Sequence, residues 1–323
     1  MRAVIADGKG GPEVLKVVDL PVPKPGPGQL LIKVRAAGVN RADVMQRQGL
    51  YDPPDGNAVL GLEVSGEVAG HGPGVTAPPI GTKVVALVAS GGYSEYVAAP
   101  AGQVAPAPEG VDLVDAGGII EVAATVWSNV FMIGQLQKGQ SFLLHGGASG
   151  IGTMALQLAR VAGARIATTV GSDSKVKIAR ALGADLVINY REEAFEEVLA
   201  DHGFVPDLIL DVVGAAYLRR NVEILGVGGR LVVIGLQGGQ LGEMPIGNLL
   251  YKQGSVHATS LRARTLEEKR SIVRATTDAL WPLLASGTVR PVIAHRHRLA
   301  EVSEAHRAIE DPEHIGKELL VVH

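Results

Sequence analysis

The chain has 323 residues, a formal net charge of -3 and no cysteine. Because a usual domain has about 100 to 200 residues, this length predicts two domains. The lack of cysteine excludes disulfides and thiolate metal sites, and a slightly acidic chain without a basic stripe argues against nucleic acid as a partner.

The first residues indicate where the protein works. Residues 1–7 enter an alternating strand pattern without the apolar stretch and cleavage site of a secretory signal. No apolar run reaches the roughly 18 residues of a membrane span. We therefore expect a cytoplasmic protein without a membrane partner.

The first third of the chain has the pattern of a small β domain. Strand-like segments at 29–34, 64–68 and 83–88 are separated by Pro/Gly clusters such as the one at 23–28. Short alternating runs between turn residues are typical of antiparallel strands. We expect a mainly antiparallel β domain up to Gly110.

Beyond Val111 the pattern changes to alternating strands and helices. Apolar segments recur at roughly 20 to 25 residues, with helix-like sequence between them. They lie near Phe142, Ile166, Leu186, Leu208, Leu231 and Val256. This spacing predicts a doubly wound parallel sheet of six strands, so the fold class is α/β.

The carboxyl-terminal segment is expected to leave this sheet. A helical pattern covers 265–284, and the apolar run at 317–322 comes too late to extend the alternating series. We expect that last strand to rejoin the first domain. The predicted domains are therefore 1–122 with 264–323, and 123–263.

A glycine-rich turn follows the first strand of the predicted parallel sheet. The strand at 141–145 is followed by GGASGIG at 146–152 and then by apolar residues at helical spacing. Glycine permits unusual backbone angles there and lets a pyrophosphate approach the positive end of the helix. Ser149 stands where the dinucleotide-binding pattern has its second glycine. The residues predicted to hold the phosphates are Gly147, Ala148, Ser149, Gly150, Ile151 and Gly152.

The end of the second parallel strand favours NADPH over NADH. NAD enzymes carry a carboxylate there, about 20 residues past the glycine turn, that binds the ribose hydroxyls. Here the strand at 165–170 runs into Gly171, Ser172, Asp173 and Lys175. A glycine, a hydroxyl and a cation suit a 2′-phosphate better than a carboxylate does. In the alternative interpretation Ser172 only caps the next helix and Lys175 is solvated, and Asp173 keeps that alternative open.

Several motifs in fixed order give the whole chain a family resemblance. They are AGVNRAD at 37–43, RQGLY at 47–51, GLEVSG at 61–66, GGYSEYV at 91–97, LDVVG at 210–214, SLR at 260–262 and IGK at 315–317. With them the chain resembles the zinc-free quinone oxidoreductases of the medium-chain dehydrogenase/reductase superfamily, above all the animal members induced by a tumour suppressor. The resemblance implies a GroES-like, mainly β catalytic domain and a Rossmann dinucleotide-binding domain.

The same resemblance implies chemistry without zinc. Zinc alcohol dehydrogenases of this superfamily have a metal-binding cysteine where Asn40 stands and a metal-binding histidine where Leu62 stands. Without a Lewis acid a simple aldehyde is harder to reduce, whereas a quinone accepts hydride or electrons without such help. We therefore expect an NADPH-dependent quinone reductase whose substrate enters the cleft between the domains.

Further site residues follow from the resemblance alone. Tyr51 and Asn40 line the substrate cleft, where the Tyr51 hydroxyl could hydrogen-bond a quinone oxygen. Thr125 lies along the nicotinamide, and Tyr190 lies near the 2′-phosphate. The remaining predicted cofactor contacts are Val213, Gly235, Leu236 and Leu261. Taken alone, the residues favour structural roles, with Tyr51 as an ordinary loop aromatic and Asn40 as a helix cap before Arg41.

Glu63 and the histidines are expected to stay outside the chemistry. Glu63 is interpreted as a paired structural carboxylate, with Arg47 as an available partner. His295 and His297 alternate with arginines on a predicted exposed strand, and no histidine is assigned metal-ligand spacing. Ile120 replaces a proline that is usual in the family, so the loop leading to Thr125 is expected to differ.

Two other functions remain open at this stage. Zinc-free relatives also reduce enones and enoyl thioesters, for which a tyrosine proton donor matters more. Crystallin relatives show that the fold can persist as a non-catalytic NADPH-binding protein. The expected partner is a small electrophile, and a homodimer is expected because the apolar late strands of such domains pair across a two-fold axis.

Overall fold

The computed structural model describes residues 1–53 and 56–322. The chain divides into two compact units, Met1–Ala124 with Leu261–His323 and Thr125–Ser260. We call them unit 1 and unit 2. None of the helices formed by the described residues has the length and apolar character needed to span a bilayer.

The described residues form fifteen strands and ten α-helices. The strands are β1 Arg2–Ala6, β2 Leu15–Asp19, β3 Gln29–Val39, β4 Glu63–His71, β5 Lys83–Leu87, β6 Tyr96–Pro100, β7 Val104–Pro106, β8 Ser141–His145, β9 Arg165–Val170, β10 Leu186–Asn189, β11 Leu208–Asp211, β12 Arg230–Val233, β13 Ser255–Ala258, β14 Ile293–Arg298 and β15 Lys317–Val321. The helices are α1 Arg41–Arg47, α2 Leu113–Ala116, α3 Ile120–Val126, α4 Gly150–Val161, α5 Asp173–Ala181, α6 Phe195–Asp201, α7 Ala215–Ile224, α8 Ile246–Tyr251, α9 Leu266–Ala285 and α10 Val302–Glu310.

Unit 1 is built on a mainly antiparallel sheet. Its strands follow the order β14-β15-β3-β4-β5-β7, and β6 also pairs with β3. Strand β15 runs antiparallel to β3 and parallel to β14. The predicted antiparallel sheet is confirmed, and β15 belongs to the same sheet.

The alternation in the sequence explains why β3 lies at the centre of this sheet. Leu30, Ile32 and Val34 are fully buried, whereas Lys33 and Arg35, which alternate with Ile32 and Val34, are exposed. Successive side chains of a strand point to opposite faces, so one face of β3 joins the core and the other meets solvent. The core of unit 1 packs on that apolar face.

Unit 2 contains six parallel strands in the order β10-β9-β8-β11-β12-β13. This is the doubly wound order in which the first strand lies beside the second and the fourth. Phe142, Leu143 and Leu144 of β8 are all fully buried, as expected for a parallel strand covered by helices on both faces. The predicted six-stranded parallel sheet and the α/β fold class are confirmed.

The loop leading to Thr125 forms helix rather than extended chain. Ile120 is buried and begins α3, where the family usually has proline. The helix passes directly into a π-helical segment, Trp127–Ile133, whose wider turns are rare in proteins. The rings of Trp127 and Phe131 stack at a centroid distance of 4.6 Å within that segment.

Candidate functional site

The glycine turn joins β8 to α4 at the carboxyl edge of the parallel sheet. Gly146 has a φ of 81°, in the left-handed region that glycine adopts without strain. The N–H groups of Gly146 and Gly147 donate to the Thr169 carbonyl at 3.0 and 3.1 Å. A Cβ on Gly152 would lie 2.3 Å from the carbonyl oxygen of Gly146. Gly152 is therefore required for the close packing of α4 against the turn.

Ser149 is the N-cap of α4. Its hydroxyl accepts from the Gly152 N–H at 3.0 Å and donates to the Gly146 carbonyl at 2.8 Å. The cap satisfies one open donor, while Gly150 and Ile151 carry N–H groups at helix positions that have no partner within a helix. The turn thus presents backbone donors and the positive end of a 12-residue helix to an anion.

At the end of β9, Gly171 packs against the phenol ring of Tyr190. A Cβ on Gly171 would lie 2.6 Å from the Tyr190 hydroxyl oxygen. The Tyr190 N–H donates to the Val170 carbonyl at 3.0 Å, which fixes the tyrosine beside the strand end. A side chain at position 171 would therefore displace the exposed end of Tyr190, so the glycine leaves room for the tyrosine as well as for the predicted phosphate.

Ser172 occupies the N-cap position of α5 but makes no capping hydrogen bond. Its hydroxyl oxygen lies 2.9 Å from that of Ser174. Lys175 is half-buried in the first turn of the same helix, and Asp173 is exposed. Ser172 thus stands at the N-cap, as the alternative interpretation expected, but its side chain does not make the hydrogen bond of a cap.

Val213 and Gly235 lie together at the ends of β11 and β12. The Gly238 N–H donates to the Val213 carbonyl at 2.7 Å. A Cβ on Gly235 would lie 2.5 Å from the carbonyl oxygen of Val212, so the two loops approach too closely for a side chain. Leu236, the next residue, is 47% exposed.

Two buried titratable groups support this edge of the sheet. Asp211 accepts from the N–H groups of Val213 and Gly214 at 2.6 and 3.1 Å, and burial raises its pKa to about 6. His145 ends β8, and burial lowers its pKa to about 4. Its Nε2 lies 2.8 Å from Asn221 Oδ1. His145 is therefore a neutral residue of the core at pH 7.

Thr125 is connected to the end of β13 through Asn129. The Asn129 side-chain amide donates to the Thr125 carbonyl at 2.8 Å, and the Thr259 hydroxyl donates to Asn129 Oδ1 at 2.5 Å. Asn129 lies in the π-helical segment, a kind of helix that is frequent at functional sites. Neither Asn129 nor Thr259 belongs to a motif that would have marked it in the sequence.

Most of the predicted cofactor residues therefore lie at one edge of one sheet. The strands of unit 2 are all parallel, so their carboxyl ends, and the loops that follow them, share an edge. Those loops carry the glycine turn, Gly171 to Lys175, Tyr190, Val213 and Gly235. Leu261 is the exception, because it belongs to unit 1. The role of these residues in cofactor binding stays a prediction.

In unit 1, Asn40 belongs to a buried ionic network. It is the N-cap of α1, as its alternative interpretation expected. Its Nδ2 donates to Glu63 Oε1 at 3.1 Å, and its Oδ1 accepts from Lys317 Nζ at 2.6 Å. Lys317 Nζ also donates to Glu63 Oε1 at 2.7 Å, and the Glu121 N–H donates to Glu63 Oε2 at 3.0 Å. Both the nitrogen and the oxygen of the Asn40 side-chain amide therefore make hydrogen bonds to buried residues of unit 1.

The expected pairing of Glu63 with Arg47 is wrong. Glu63 is fully buried and pairs with Lys317. Arg47 is also buried, and its Nη2 donates to both carboxylate oxygens of Glu310 at 3.0 Å. Sequence spacing could not decide between these partners, because Lys317 arrives with the last strand of the chain.

Asp43 joins a second buried network in unit 1. It accepts from the Asn40 N–H at 2.8 Å, the Gly61 N–H at 3.1 Å and the Tyr93 hydroxyl at 3.1 Å. Burial raises the pKa of Asp43 to about 6. His306 lies 3.4 Å from the same tyrosine hydroxyl, and burial lowers its pKa to about 3. These groups fix the start of α1 and supply no exposed acid or base.

Tyr51 is half-buried and lies against Arg262. The Arg262 guanidinium carbon lies 5.0 Å from the centre of the tyrosine ring, within the range of a cation–π contact. Arg262 is held in turn by the Ala89 carbonyl at 2.8 Å and the Gln46 side chain at 2.7 Å. Arg262 belongs to the SLR motif at 260–262, but the sequence pattern indicates no role for its side chain.

A small cavity in unit 1 is lined by Leu62, the position to which the resemblance assigns a lost zinc-binding histidine. It measures about 20 Å³, and Leu62, Glu121, Leu261 and Arg262 are among its lining residues. A cavity of that size holds about one water molecule. Leu62 offers no ligand atom, and the amide of Asn40 is committed to the ionic network. These residues do not fit a catalytic zinc ion.

The view that no histidine has metal-ligand spacing is wrong for one pair. His295 and His297 share a face of β14, as positions i and i+2 on a strand do. With Glu318 they present ligand atoms that all lie within 4.8 Å of one another. The sequence contained both histidines, but the carboxylate reaches them only through the pairing of β14 with β15.

Comparison with known proteins identifies the family. Residues 26–109 match the alcohol dehydrogenase GroES-like domain, and residues 150–277 match the zinc-binding dehydrogenase family. Over 97% of both chains this chain is 31% identical to a quinone oxidoreductase of Salmonella typhimurium. The chain belongs to the quinone oxidoreductases of the medium-chain dehydrogenase/reductase superfamily. It is thus an oxidoreductase, and its GroES-like and Rossmann parts are confirmed.

Three other proteins to which the chain is similar differ from one another in length or in the nucleotide that they use. The chain is 32% identical to a mycocerosic acid synthase-like polyketide synthase of Mycolicibacterium smegmatis, of which it spans 15%. The crystal structure of Escherichia coli quinone oxidoreductase complexed with NADPH has a TM-score of 0.90 at 29% identity over the whole of both chains. An NAD-dependent alcohol dehydrogenase structure has a TM-score of 0.88 at 30% identity, also over both whole chains.

Proposed function

We propose that this chain is an NADPH-dependent quinone reductase that works without zinc at its reaction centre. The observation that carries the proposal is the edge of unit 2 at which the glycine turn, Gly171 and Tyr190 meet. Anion-binding donors and an aromatic side chain stand there at the ends of adjacent parallel strands.

The turn at 146–152 fits the pyrophosphate of a dinucleotide. Its glycines leave no room for side chains, since a Cβ on Gly147 or Gly152 would lie 2.2 or 2.3 Å from another atom of the protein. The N–H groups of Gly150 and Ile151 open the helix and are free of intrahelical partners. We assign Gly147 to Gly152 to the phosphates, with Ser149 acting chiefly as the cap that holds the helix start in place.

The end of β9 supports NADPH over NADH. Ser172 and Ser174 offer two hydroxyls 2.9 Å apart, and Lys175 in the same helical turn offers a cation for the 2′-phosphate. Tyr190 lies beside Gly171, with its ring 47% exposed, and can cover the adenosine. The similarity to the E. coli structure with NADPH supports this choice, whereas the similarity to an NAD-dependent enzyme makes it worth testing.

When bound, NADPH would supply the hydride, and the chain would supply orientation and exclusion of water. We assign Thr125, Val213, Gly235 and Leu236 of unit 2 to the nicotinamide, and the contact expected for Leu261 stays a prediction. Transfer of a hydride and uptake of one proton convert a quinone to a hydroquinone, so no metal is needed to balance the reaction. Leu62 offers no ligand atom, and the Asn40 amide is committed to Glu63 and Lys317, so the two positions do not fit a catalytic zinc ion, which agrees with this chemistry.

Tyr51 is the residue we assign to the substrate. Its hydroxyl can donate to a quinone oxygen, and the cation–π contact with Arg262 holds the ring in place. Asn40 is better described as a positioning residue, because Glu63 and Lys317 use both ends of its amide. It holds the start of α1, the helix that leads to Tyr51.

Reduction of an enone or enoyl thioester is the second candidate. The observation that favours it is the 32% identity to a polyketide synthase. Such a substrate accepts hydride at carbon and needs a proton donor, for which Tyr51 is available. A non-catalytic NADPH-binding role is the third outcome, and turnover with any acceptor would exclude it.

We also propose that the protein forms a homodimer through β13. The strand lies at the end of the unit 2 sheet and pairs only with β12 among the described strands. Large apolar side chains are exposed in the segment before it, namely Leu241, Ile246, Leu250 and Tyr251. An open strand edge beside an apolar patch suits a two-fold interface with a second copy. The predicted cytoplasmic location and the lack of a nucleic-acid partner stay predictions.

The substrate proposal is tested by anaerobic oxidation of NADPH with an ortho-quinone, a para-quinone, a 2-enoyl thioester and no acceptor. We expect a quinone to give the highest kcat/KM. A higher kcat/KM for the thioester than for either quinone would favour the second candidate. No oxidation with any acceptor, from protein that binds NADPH, would favour the non-catalytic role.

A further inference from the structure

The side chains of His295, His297 and Glu318 converge at one edge of unit 1. Strand β14 runs parallel to β15, and His295 stands opposite Glu318 in the register. His295 Nδ1 lies 3.0 Å from Glu318 Oε1, and His297 Nε2 lies 2.8 Å from Glu318 Oε2. Each of the two histidines therefore contacts a different oxygen of the same carboxylate.

The carboxylate at the centre of this group is buried. The Glu318 side chain is 0% exposed, and its partners among the described residues are histidines, with no lysine or arginine among them. A carboxylate removed from solvent requires hydrogen-bond donors or a cation beside it.

A third histidine, His314, also lies beside this carboxylate. Its Nδ1 lies 3.1 Å from Glu318 Oε1, and its Nε2 lies 2.9 Å from the Gly316 carbonyl oxygen. Three imidazole rings therefore surround one buried carboxylate, which places several ligand atoms of the kind that zinc-type ions prefer around a single centre.

We propose that His295, His297 and Glu318 bind a divalent transition-metal ion of the zinc type. Two imidazole nitrogens and one carboxylate oxygen are the ligands such ions prefer, and ligand atoms about 3.4 Å apart suit bonds of about 2.1 Å. The ligand atoms here already lie within 4.8 Å of one another. His295 is 68% exposed in its side chain and can adjust, while the buried Glu318 fixes the centre.

The proposed site is separate from the reaction centre of the family. It lies on β14 and β15, whereas the lost zinc ligands of the superfamily correspond to Asn40 and Leu62. A metal there would join the edge strand β14 to β15, so its expected effect is on the stability of unit 1. The exposed His295 leaves the fourth position open to water, which suits a reversible site better than a closed structural one.

The test uses the full chain without a histidine tag, after removal of metal with a chelator. Calorimetric titration with zinc chloride is expected to give one ion per chain, and Co²⁺ is expected to give the visible absorption of a tetrahedral complex. His295→Ala and His297→Ala should each weaken binding by at least about tenfold, because each removes a ligand. His202→Ala, which removes an exposed histidine of unit 2, should leave the affinity unchanged.

Thermal unfolding provides a second readout for the same proteins. Zinc should raise the Tm of the unmodified chain and of His202→Ala by a few degrees, but not that of His297→Ala. Circular dichroism of each variant establishes that it is folded before metal is added. Failure of the unmodified chain to bind zinc or cobalt would overturn the proposal, and so would binding that His295→Ala and His297→Ala both leave intact.

Discussion

Lys317 Nζ lies 2.7 Å from Glu63 Oε1, although the two residues are 254 positions apart in the chain. The two side chains are 6% and 0% exposed. Lys317 begins β15 and Glu63 begins β4. Separating the two strand ends would leave an unpaired buried charge, which is strongly destabilising, so the ion pair holds the strand ends together. It also fixes Asn40, which bonds to both members.

Replacement of Lys317 by methionine is expected to lower the free energy of unfolding by about 3 to 5 kcal/mol, because Glu63 would be left as an unpaired buried carboxylate. Urea unfolding followed by circular dichroism measures the change. Lys177→Met, at an exposed position of α5, is the matched control and should change stability by less than about 0.5 kcal/mol.

The double variant Lys317→Met/Glu63→Gln separates the ion pair from general packing. It should recover part of the lost stability, since the uncompensated charge is gone. The free energies of unfolding of both single variants and of the double variant are compared. If the loss in the double variant equals the sum of the losses in the two single variants, Lys317 and Glu63 do not act as a pair.

The regular parts of the fold could be predicted because they depend on local pattern. The apolar segments near Phe142 and Val256 lie in the first and last strands of the parallel sheet, and the run at 317–322 contains β15. The periodicity of apolar residues indicates which side chains face a core, and the run of glycines indicates a tight turn between a strand and a helix. These signals were sufficient for the fold class.

The side-chain partners could not be predicted, because they depend on strand register between distant segments. Glu63 pairs with Lys317 rather than with Arg47, which lies much nearer in sequence. The group of His295, His297 and Glu318 exists only because β14 and β15 are paired in parallel. The contact between Gly171 and Tyr190 likewise depends on the path of the chain that follows β10.

Gly152→Ala tests the proposed phosphate turn. The added Cβ would lie 2.3 Å from the Gly146 carbonyl oxygen, so the turn and the first N–H groups of α4 must move. We expect the Kd for NADPH to rise by at least about tenfold, as one lost charge-assisted contact suffices for that. Quenching of protein fluorescence or calorimetry measures the Kd.

Gly247→Ala is the control for this substitution. Gly247 lies in α8, and an added Cβ has no atom within 4 Å. Its Kd for NADPH should equal that of the unmodified chain. Equal affinity of the Gly152→Ala protein would remove the turn from the proposed cofactor site.

His145 is expected to make stability depend on pH. Burial lowers its pKa from 6.5 to about 4 in the folded chain. The unfolded chain therefore binds more protons between these values, so the free energy of unfolding falls as the pH falls from 6.5 towards 4. His306, whose pKa burial lowers to about 3, acts in the same direction, while Asp211, with a pKa raised to about 6, acts in the opposite one.

The variant His145→Gln isolates this contribution. Its free energy of unfolding should fall less steeply between pH 6.5 and pH 4.5, by up to about 1.4 kcal/mol per pH unit. Urea unfolding at a series of pH values measures the slope. His202→Gln, at an exposed histidine, should keep the slope of the unmodified chain. An unchanged slope in His145→Gln would mean that His145 titrates normally in the folded protein.

The dimer proposal is tested by introducing charged residues into the exposed apolar segment that precedes β13. Ile246 and Leu250 are 65% and 70% exposed, so replacing both by glutamate should preserve the fold while placing four like charges in a two-fold interface. Sedimentation velocity should show a dimer for the unmodified chain and a monomer for the double variant. Ile80→Glu, on unit 1 and 66% exposed, should remain dimeric, and a monomeric unmodified chain would refute the proposal.

The preference between NADPH and NADH tests the central claim most directly. With one quinone held at a fixed concentration under anaerobic conditions, kcat/KM is measured for both nucleotides in the unmodified chain and in Lys175→Ala. The account predicts a preference for NADPH of at least about tenfold, which Lys175→Ala reduces by weakening NADPH alone. A kcat/KM for NADH equal to or above that for NADPH, or equal weakening of both nucleotides by Lys175→Ala, would contradict it.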